Sequence, residues 1–293
     1  MTLPKTYKQA VFKEQGAPLT LEDVELKHPG PGEVLVKVEA CGVCHSDMFA
    51  QLNFFGAGFP IAPGHEIIGR VAEVGDGVAG WNIGDRVGAG WHGGHDDAEY
   101  AVIRSEAASR IPENVDAAKY APILCAGVTV FNGIRHMDIG PGELVAIQGV
   151  GGLGHLAIQY ANRMGYRVAA ISRGSSKEEF ARKLGAHEYI DTEKNPDVGA
   201  ALQALGGAKL IVSMSPTGQG MTDLLKGLGI LGKLLILSVP GDISINTAVL
   251  AIQFTELQNI DCMIEKFPLA KANEAYKVMM DGSVRFRAVI TMD

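Results

Sequence analysis

The run Leu144-Val145-Ala146-Ile147-Gln148-Gly149-Val150-Gly151-Gly152-Leu153-Gly154 decides how the centre of this chain folds. A short apolar strand leads straight into a glycine fingerprint. Leu153, Leu156, Ala157, Tyr160, Ala161 and Met164 then follow at helical spacing. The bare G-x-G-x-x-G spacing is common by chance, and the strand ahead and helix behind are what give it meaning. In that context Gly149 makes the turn, Gly151 lets a pyrophosphate approach the backbone, and Gly154 lets helix and strand pack closely. The helix opening at Gly152 and Leu153 turns its first amides and its dipole toward phosphates. The motif points to dinucleotide binding by Gly149, Gly151, Gly152, Leu153 and Gly154.

The flanking sequence keeps the same rhythm. Arg167 to Ile171 reads as the next strand, and Lys177 to Leu184 as a helix stopped by Gly185-Ala186. Tyr189-Ile190, Leu210 to Ser213 and Leu234 to Ser238 supply further strands, with helical segments between them. Strand–helix alternation implies an α/β fold, a doubly wound parallel sheet of Rossmann type covered on both faces. Ser238 and Val239, at the end of the last strand, are assigned to the cofactor. The second strand ends in Ser172-Arg173-Gly174-Ser175-Ser176-Lys177. An NAD site usually shows an acidic residue about 20 residues after the loop. None stands at this strand end, and Arg173 and Lys177, with Ser172, suit a 2′-phosphate, so NADP is expected over NAD. The plainer alternative is a solvated helix start with serine caps.

The first third has a different texture. Glu33 to Ala40 alternates charged and apolar residues after the turn cluster Pro29-Gly30-Pro31-Gly32, the pattern of a half-buried strand. Ile67 to Gly75 is a second strand, and Gly84-Asp85-Arg86-Val87 turns into a third. Within this β-rich region lie Cys41-Gly42-Val43-Cys44-His45-Ser46-Asp47 and Gly64-His65-Glu66, with Cys125 further on. A lone C-x-x-C also fits a redox pair or half a zinc finger. Cys44, His65 and Cys125 offer the thiolate and imidazole donors that zinc prefers, and three protein ligands leave the open position a catalytic zinc needs. Asp47 and Glu66 suit the shell behind the ligands or the metal itself. Cys41 reads better as a small buried apolar residue, and the same plain reading is open to Cys125. Phe54-Phe55 and Trp91 suit either an apolar substrate pocket or ordinary core. His92 and His95 are either extra ligands or exposed side chains among glycines.

Composition bounds the rest. The chain has 293 residues, 47% hydrophobic and 20% charged, ordinary values for a globular protein with one large or two ordinary domains. Glycine, at 37 residues, is well above the roughly 7% average. A net charge of −7 argues against a nucleic-acid partner. No stretch approaches the roughly 18 apolar residues of a membrane span, and no leader peptide is expected from Met1-Thr2-Leu3-Pro4-Lys5. Cys41, Cys44, Cys125 and Cys262 are too scattered for a disulfide framework, so a cytoplasmic location is expected.

Taken together, Cys41 to Asp47, Gly64 to Glu66, Leu124-Cys125-Ala126-Gly127-Val128-Thr129, Gly149 to Gly154 and Arg287-Ala288-Val289-Ile290-Thr291 closely resemble the zinc-dependent medium-chain alcohol dehydrogenases. The likeness is strongest to the yeast-type and cinnamyl-alcohol-type branch and covers nearly the whole chain. It implies a β-rich, chaperonin-10-like (GroES-like) catalytic domain over 1–126 and 250–293, with the Rossmann domain at 127–249. It also implies Cys44, His65 and Cys125 as zinc ligands and Glu66 as an exchanging fourth. Ser46 matches the hydroxyl that relays the alcohol proton, and Thr129 the residue packed on the nicotinamide. His45 and Arg287 match groups near the pyrophosphate.

Three departures qualify the resemblance. Gly93-Gly94-His95-Asp96-Asp97 runs directly into Ala98-Glu99-Tyr100, where the family carries a cysteine lobe for a structural zinc, so a single zinc is expected. After Asn246-Thr247-Ala248-Val249-Leu250 the family continues into a sixth strand that pairs with a partner subunit. Here Ala251-Ile252-Gln253-Phe254 follows at once, and a monomer or an atypical dimer is expected. Phe49 stands where a histidine often ends the proton relay. The expected activity is reversible hydride transfer between a primary alcohol or aldehyde and NADP(H). The alternatives are a minimised zinc- and nucleotide-binding scaffold with little activity and a zinc-free quinone reductase-like enzyme.

Overall fold

In the computed structural model, residues 2–94, 98–240, 242–243 and 260–292 are described. They form two compact units, Met1–Asp242 and Ile243–Asp293.

The first unit opens with an antiparallel pair, β1 (Thr6–Val11) and β2 (Thr20–Glu25). A five-stranded antiparallel sheet follows, built from β3 (Glu33–Cys41), β4 (Ile67–Val74), β5 (Arg86–Ala89), β6 (Tyr100–Arg104) and β7 (Ala108–Arg110). Its strand order is β6-β3-β4-β5-β7. Val34, Val36, Ile67, Val71, Val87 and Ile103 come from four of these strands into one buried cluster. Arg86 is buried at the rim of this sheet. Its Nε and Nη2 donate to Glu39 and its Nη1 to the carbonyls of Pro112 and Val115. The guanidinium thereby fastens the chain that leaves the sheet, and a buried charge so fully paired avoids the desolvation cost of a lone one.

The parallel sheet consists of β8 (Leu144–Gln148), β9 (Arg167–Ser172), β10 (Glu188–Asp191), β11 (Ala208–Ser213) and β12 (Leu228–Ile236). Its order is β10-β9-β8-β11-β12, the doubly wound arrangement the glycine motif implies. Successive side chains of a strand point to opposite faces, and the core divides accordingly. Val145, Ile147, Val168, Ala170, Leu210 and Val212 pack on one side with Val130 and Ile134 of one helix and Ala157, Ile158 and Ala161 of another. Leu144, Ala146, Ala169, Ile171 and Ile211 pack on the other side with Leu202 and Leu224. The helices are Ala126–Arg135, Gly154–Arg163, Val198–Ala204 and Met221–Leu225.

Two boundaries differ from the sequence reading. β12 begins at Leu228, because residues between Leu228 and Lys233 bulge out of register against β11, with Leu231 at φ +54°. It ends at Ile236, so Ser238 and Val239 lie beyond the strand.

In the second unit, Ile264–Pro268 (β13) pairs in parallel with Arg287–Thr291 (β14), joined by the helix Ala272–Met280. The five strands of the antiparallel sheet all lie between Glu33 and Arg110, and the strands of 260–292 pair with each other. Residues 246–254, where the family's sixth strand is expected to be missing, lie outside the described residues. Among the described residues no single helix is long and apolar enough to cross a membrane.

Candidate active site

β3 delivers Cys41 to the edge of the antiparallel sheet, and the chain turns through Gly42. A Cβ at Gly42 would stand 1.9 Å from Glu66 Oε2, so glycine leaves room for that carboxylate. Cys44 then caps the short helical turn His45–Asp47. Its amide donates to Asp47 Oδ2 at 2.8 Å, and its Sγ accepts from Ser46 N at 3.5 Å. Asp47 also reaches the next segment. Its Oδ1 accepts from Gly64 N at 3.2 Å and stands 3.0 Å from His65 Nδ1. One carboxylate therefore fastens two ligand-bearing segments and leaves His65 Nε2 as the nitrogen to face a metal. This is the usual device for orienting a metal-bound imidazole.

Cys125 arrives from the other side, between the short turn Ala121–Leu124 and the helix Ala126–Arg135. The approach is tight: a Cβ on Gly90 would lie 2.4 Å from Leu124 O. Cys125 Sγ stands 3.8 Å from Cys44 Sγ. Donor atoms of Cys44, His65, Glu66 and Cys125 all lie within 4.8 Å of one another.

The electrostatics of this group favour a cation. The Cys44 thiol is lowered to about 4, chiefly because Cys125 donates a hydrogen bond to it, while its thiolate and burial push Cys125 far up. Burial pulls His65 down, but its hydrogen bonds to Asp47 and Cys44 outweigh that and raise it to about 9. Burial, then the charge on Cys44, raises Glu66 to about 7. Asp47 is penalised by burial yet ends below the usual carboxylate range through its bonds to His65, Cys44 N and Gly64 N. Crowding these donors raises Cys125 and His65, so it opposes their deprotonation, and a bound cation would offset that cost. Two thiols, an imidazole and a carboxylate are the donor set zinc takes, so the residues present fit that ion.

Beside the cluster is a cavity of about 270 Å³ lined mainly by apolar groups, among them Phe49, Phe55, Ile61, Pro63 and Trp91. Ser46, Asp47, Asn53 and His65 are its polar members. Trp91 meets His65 edge-on, with ring centroids 4.7 Å apart. Trp91 thus lines this cavity. Phe54 does not line the cavity, although its ring packs on Phe49 and Phe55, and both Phe54 and Phe55 are about two-thirds exposed. The helical turn Met48–Gln51 places Phe49 at the cavity, and the loop after it brings Phe55 to the cavity's exposed rim.

The nucleotide loop forms a second cavity, of about 510 Å³, lined by Gly149 to Gly154, Ser172, Arg173 and Lys177. Each glycine has its own cause. Gly149 has φ +97°, and a Cβ on Gly154 would lie 1.7 Å from Gly149 O. A Cβ on Gly151 or Gly152 would meet nothing within 4 Å, so these two keep the groove clear. Lys177 Nζ donates to Val150 O at 2.9 Å. Arg173 is paired: its Nε lies 3.3 Å from Glu193 Oε1. The sequence shows no carboxylate at the end of β9, yet the fold supplies one from the turn after β10. Thr192, Met214, Ser215 and Pro216 also line the groove and were not singled out. They follow the carboxyl ends of β10 and β11, where open α/β sheets bind ligands.

The remaining candidates are spread more widely. Ser238 Oγ donates to Ser215 O at 2.6 Å, beside the groove, whereas Val239 is largely exposed. Thr129 is half-buried in the first turn of its helix, its amide bonded to Cys125 O. His45 and His92 are exposed, and His95 lies outside the described residues. Arg287 is exposed at the start of β14, in the second unit. Cys41 packs beside the core of the antiparallel sheet, apart from the metal-ligand group.

With this fold and site, the chain belongs to the zinc-type medium-chain alcohol dehydrogenase family. Residues 30–113 match the alcohol dehydrogenase GroES-like domain, and residues 152–279 the zinc-binding dehydrogenase domain. The chain is 59% identical to alcohol dehydrogenase patD of Penicillium expansum over 338 aligned positions, covering 99% of each. It is 56% identical over 340 positions to alcohol dehydrogenase notN of Aspergillus sp. (strain MF297-2), covering 100% of each. Both alignments are longer than the 293 residues of this chain, so these relatives contain internal stretches with no counterpart here. Among solved structures, cinnamyl alcohol dehydrogenase from Sorghum bicolor shares the fold, with TM-score 0.74 and 24% identity over 98% of this chain and 97% of that one.

Proposed function

We propose that this protein is a zinc-dependent alcohol dehydrogenase that interconverts a primary alcohol and its aldehyde with NADP(H). The observation that carries this reading is the convergence of Cys44, His65, Cys125 and Glu66 donors within 4.8 Å, beside an apolar cavity that His65 and Ser46 also line. Cys44, His65 and Cys125 would hold one zinc, with Glu66 able to approach it. When bound, zinc supplies Lewis-acid polarisation of the substrate oxygen, and the nicotinamide supplies the hydride. Asp47 orients His65 and holds the Cys44 turn. Ser46 Oγ takes or returns the proton of the substrate hydroxyl, and Phe49 and Trp91 exclude water around the carbon chain.

The glycine loop supports dinucleotide binding, and Ser172, Arg173 and Lys177 support the 2′-phosphate form. Glu193 competes for Arg173, but an exposed ion pair is worth little and gives way readily to a phosphate. Free thiols at the metal site suit a reducing, cytoplasmic compartment. The internal shortening favours a second reading, a scaffold that binds zinc and nucleotide but turns over poorly.

The test is metal analysis together with aldehyde-dependent NADPH and NADH oxidation, on the natural sequence and on Cys125→Ser. One zinc per chain, turnover that is faster with NADPH, and loss of both zinc and turnover in Cys125→Ser are expected. Zinc without turnover would establish the scaffold reading. Turnover undiminished in Cys125→Ser would remove the metal assignment.

A further inference from the structure

We propose that Asn53 is a substrate-selecting residue, whose side-chain amide donates a hydrogen bond to an oxygen acceptor on the substrate, remote from the reacting carbon. The inference rests on the functional reading above and deepens it by naming a substrate class: alcohols or aldehydes that carry a second carbonyl or ring oxygen.

The polar members of the apolar cavity divide into two sets. Asp47, His65 and Ser46 belong to the metal-ligand end. Asn53 does not; it sits in the loop that follows the helical turn Met48–Gln51. Its backbone is fixed from both sides, with its N–H donating to Ala50 O and its carbonyl accepting from Gly56 N, each at 3.0 Å. It has φ +49°, a left-handed conformation that asparagine tolerates better than most residues. Its Oδ1 accepts from Gly58 N at 3.1 Å.

That last bond settles the orientation of the amide. A backbone N–H can only donate, so the atom facing Gly58 is the oxygen and the other is Nδ2. Among the described residues Nδ2 makes no hydrogen bond. With its backbone held by two bonds and its amide by one, all within its own loop, this donor at the wall of a mostly apolar cavity is already positioned before substrate arrives. Pockets of this kind use a few placed polar groups to fix orientation. A volume of about 270 Å³ corresponds to about nine waters at roughly 30 Å³ each, room for a single substituted ring. A substrate with an acceptor at its far end satisfies Nδ2. An isostere without one leaves the amide unpaired or hydrated.

The test uses the zinc-loaded full chain and two pairs of aldehydes of matched shape: 4-acetyl- against 4-isopropylbenzaldehyde, and 3-acetyl- against 3-isopropylbenzaldehyde. Binding is measured by calorimetry and turnover with NADPH separately. The acetyl member of at least one pair should bind about three- to tenfold more tightly, the range of a net hydrogen bond. Asn53→Asp keeps the acceptor for Gly58 N and the tolerance of positive φ but replaces the donor with a carboxylate oxygen, so it should abolish or invert that preference. Asn53→Gly, which also accepts the backbone, should abolish it, and both variants should retain the natural zinc content. No preference in either pair, or one that survives both substitutions, overturns the proposal. Absence of turnover with every aldehyde would instead count against the dehydrogenase reading, while the binding ratios still judge Asn53.

Discussion

Asp47→Asn isolates the link between the metal ligands and the fold. The Asp47 carboxylate accepts from Cys44 N at 2.8 Å and from Gly64 N at 3.2 Å, and it faces His65 Nδ1 at 3.0 Å. An asparagine has a single acceptor oxygen. Placed toward Gly64 and His65, its amide group meets the Cys44 N–H donor to donor; turned round, it meets Gly64 N–H instead. Either way one buried donor is left unsatisfied, at about 1–3 kcal/mol, and the charge-assisted character of the others is lost. Groups that orient metal ligands typically contribute 10- to 100-fold in affinity, about 1.4–2.7 kcal/mol. Zinc should therefore bind about 10- to 100-fold more weakly, measured by competition with a chromogenic chelator at fixed pH. The metal-free protein offers a second readout. His65 is raised from 6.5 to about 9, so the stability it contributes is fully present below 6.5 and lost as pH rises through about 9. Denaturant unfolding of metal-free Asp47→Asn should show a shallower loss across that window. A zinc affinity within twofold of the natural protein, with the fold intact, would refute the orienting role.

Further predictions follow from the nucleotide groove and the sheet edge. Gly154→Ala places a Cβ 1.7 Å from Gly149 O and should cost about 1–3 kcal/mol of stability as well as most NADPH affinity; an unchanged Tm and Kd would show that the helix shifts freely. Arg173→Ala should weaken NADPH and leave NADH nearly unchanged, whereas Glu193→Gln, which frees Arg173, should strengthen NADPH; equal changes for both cofactors would rule out a 2′-phosphate contact. β12 ends the described order of the parallel sheet, with Ile230 and Leu231 exposed, and such edges invite pairing. Light scattering should nonetheless show a monomer, or a dimer formed through a surface other than the sheet edge; a stable tetramer with sheets continuous across its interface would contradict the assembly expected from a missing sixth strand.

How much was legible in the sequence depended on how local each cause is. The glycine loop was readable because every requirement falls within a few residues: a strand, a turn at positive φ, a clear approach and a close-packed helix start. The doubly wound sheet followed from apolar strands alternating with helical runs. The metal-ligand set was legible as residue types, since thiolate and imidazole at Cys44, His65 and Cys125 have few other uses together. Sequence could not show that Asp47 joins two ligand segments, that Phe49 and Phe55 line the cavity while Phe54 does not, or that Glu193 reaches Arg173 from the next strand's turn. Nor could it show that Gly58 fixes the Asn53 amide with its donor left over. Those facts depend on loop conformation and on chain segments brought together across the fold. Residue spacing carries the periodicity of strands and helices, but the direction of a side chain in a loop is set only by the tertiary contacts that hold it.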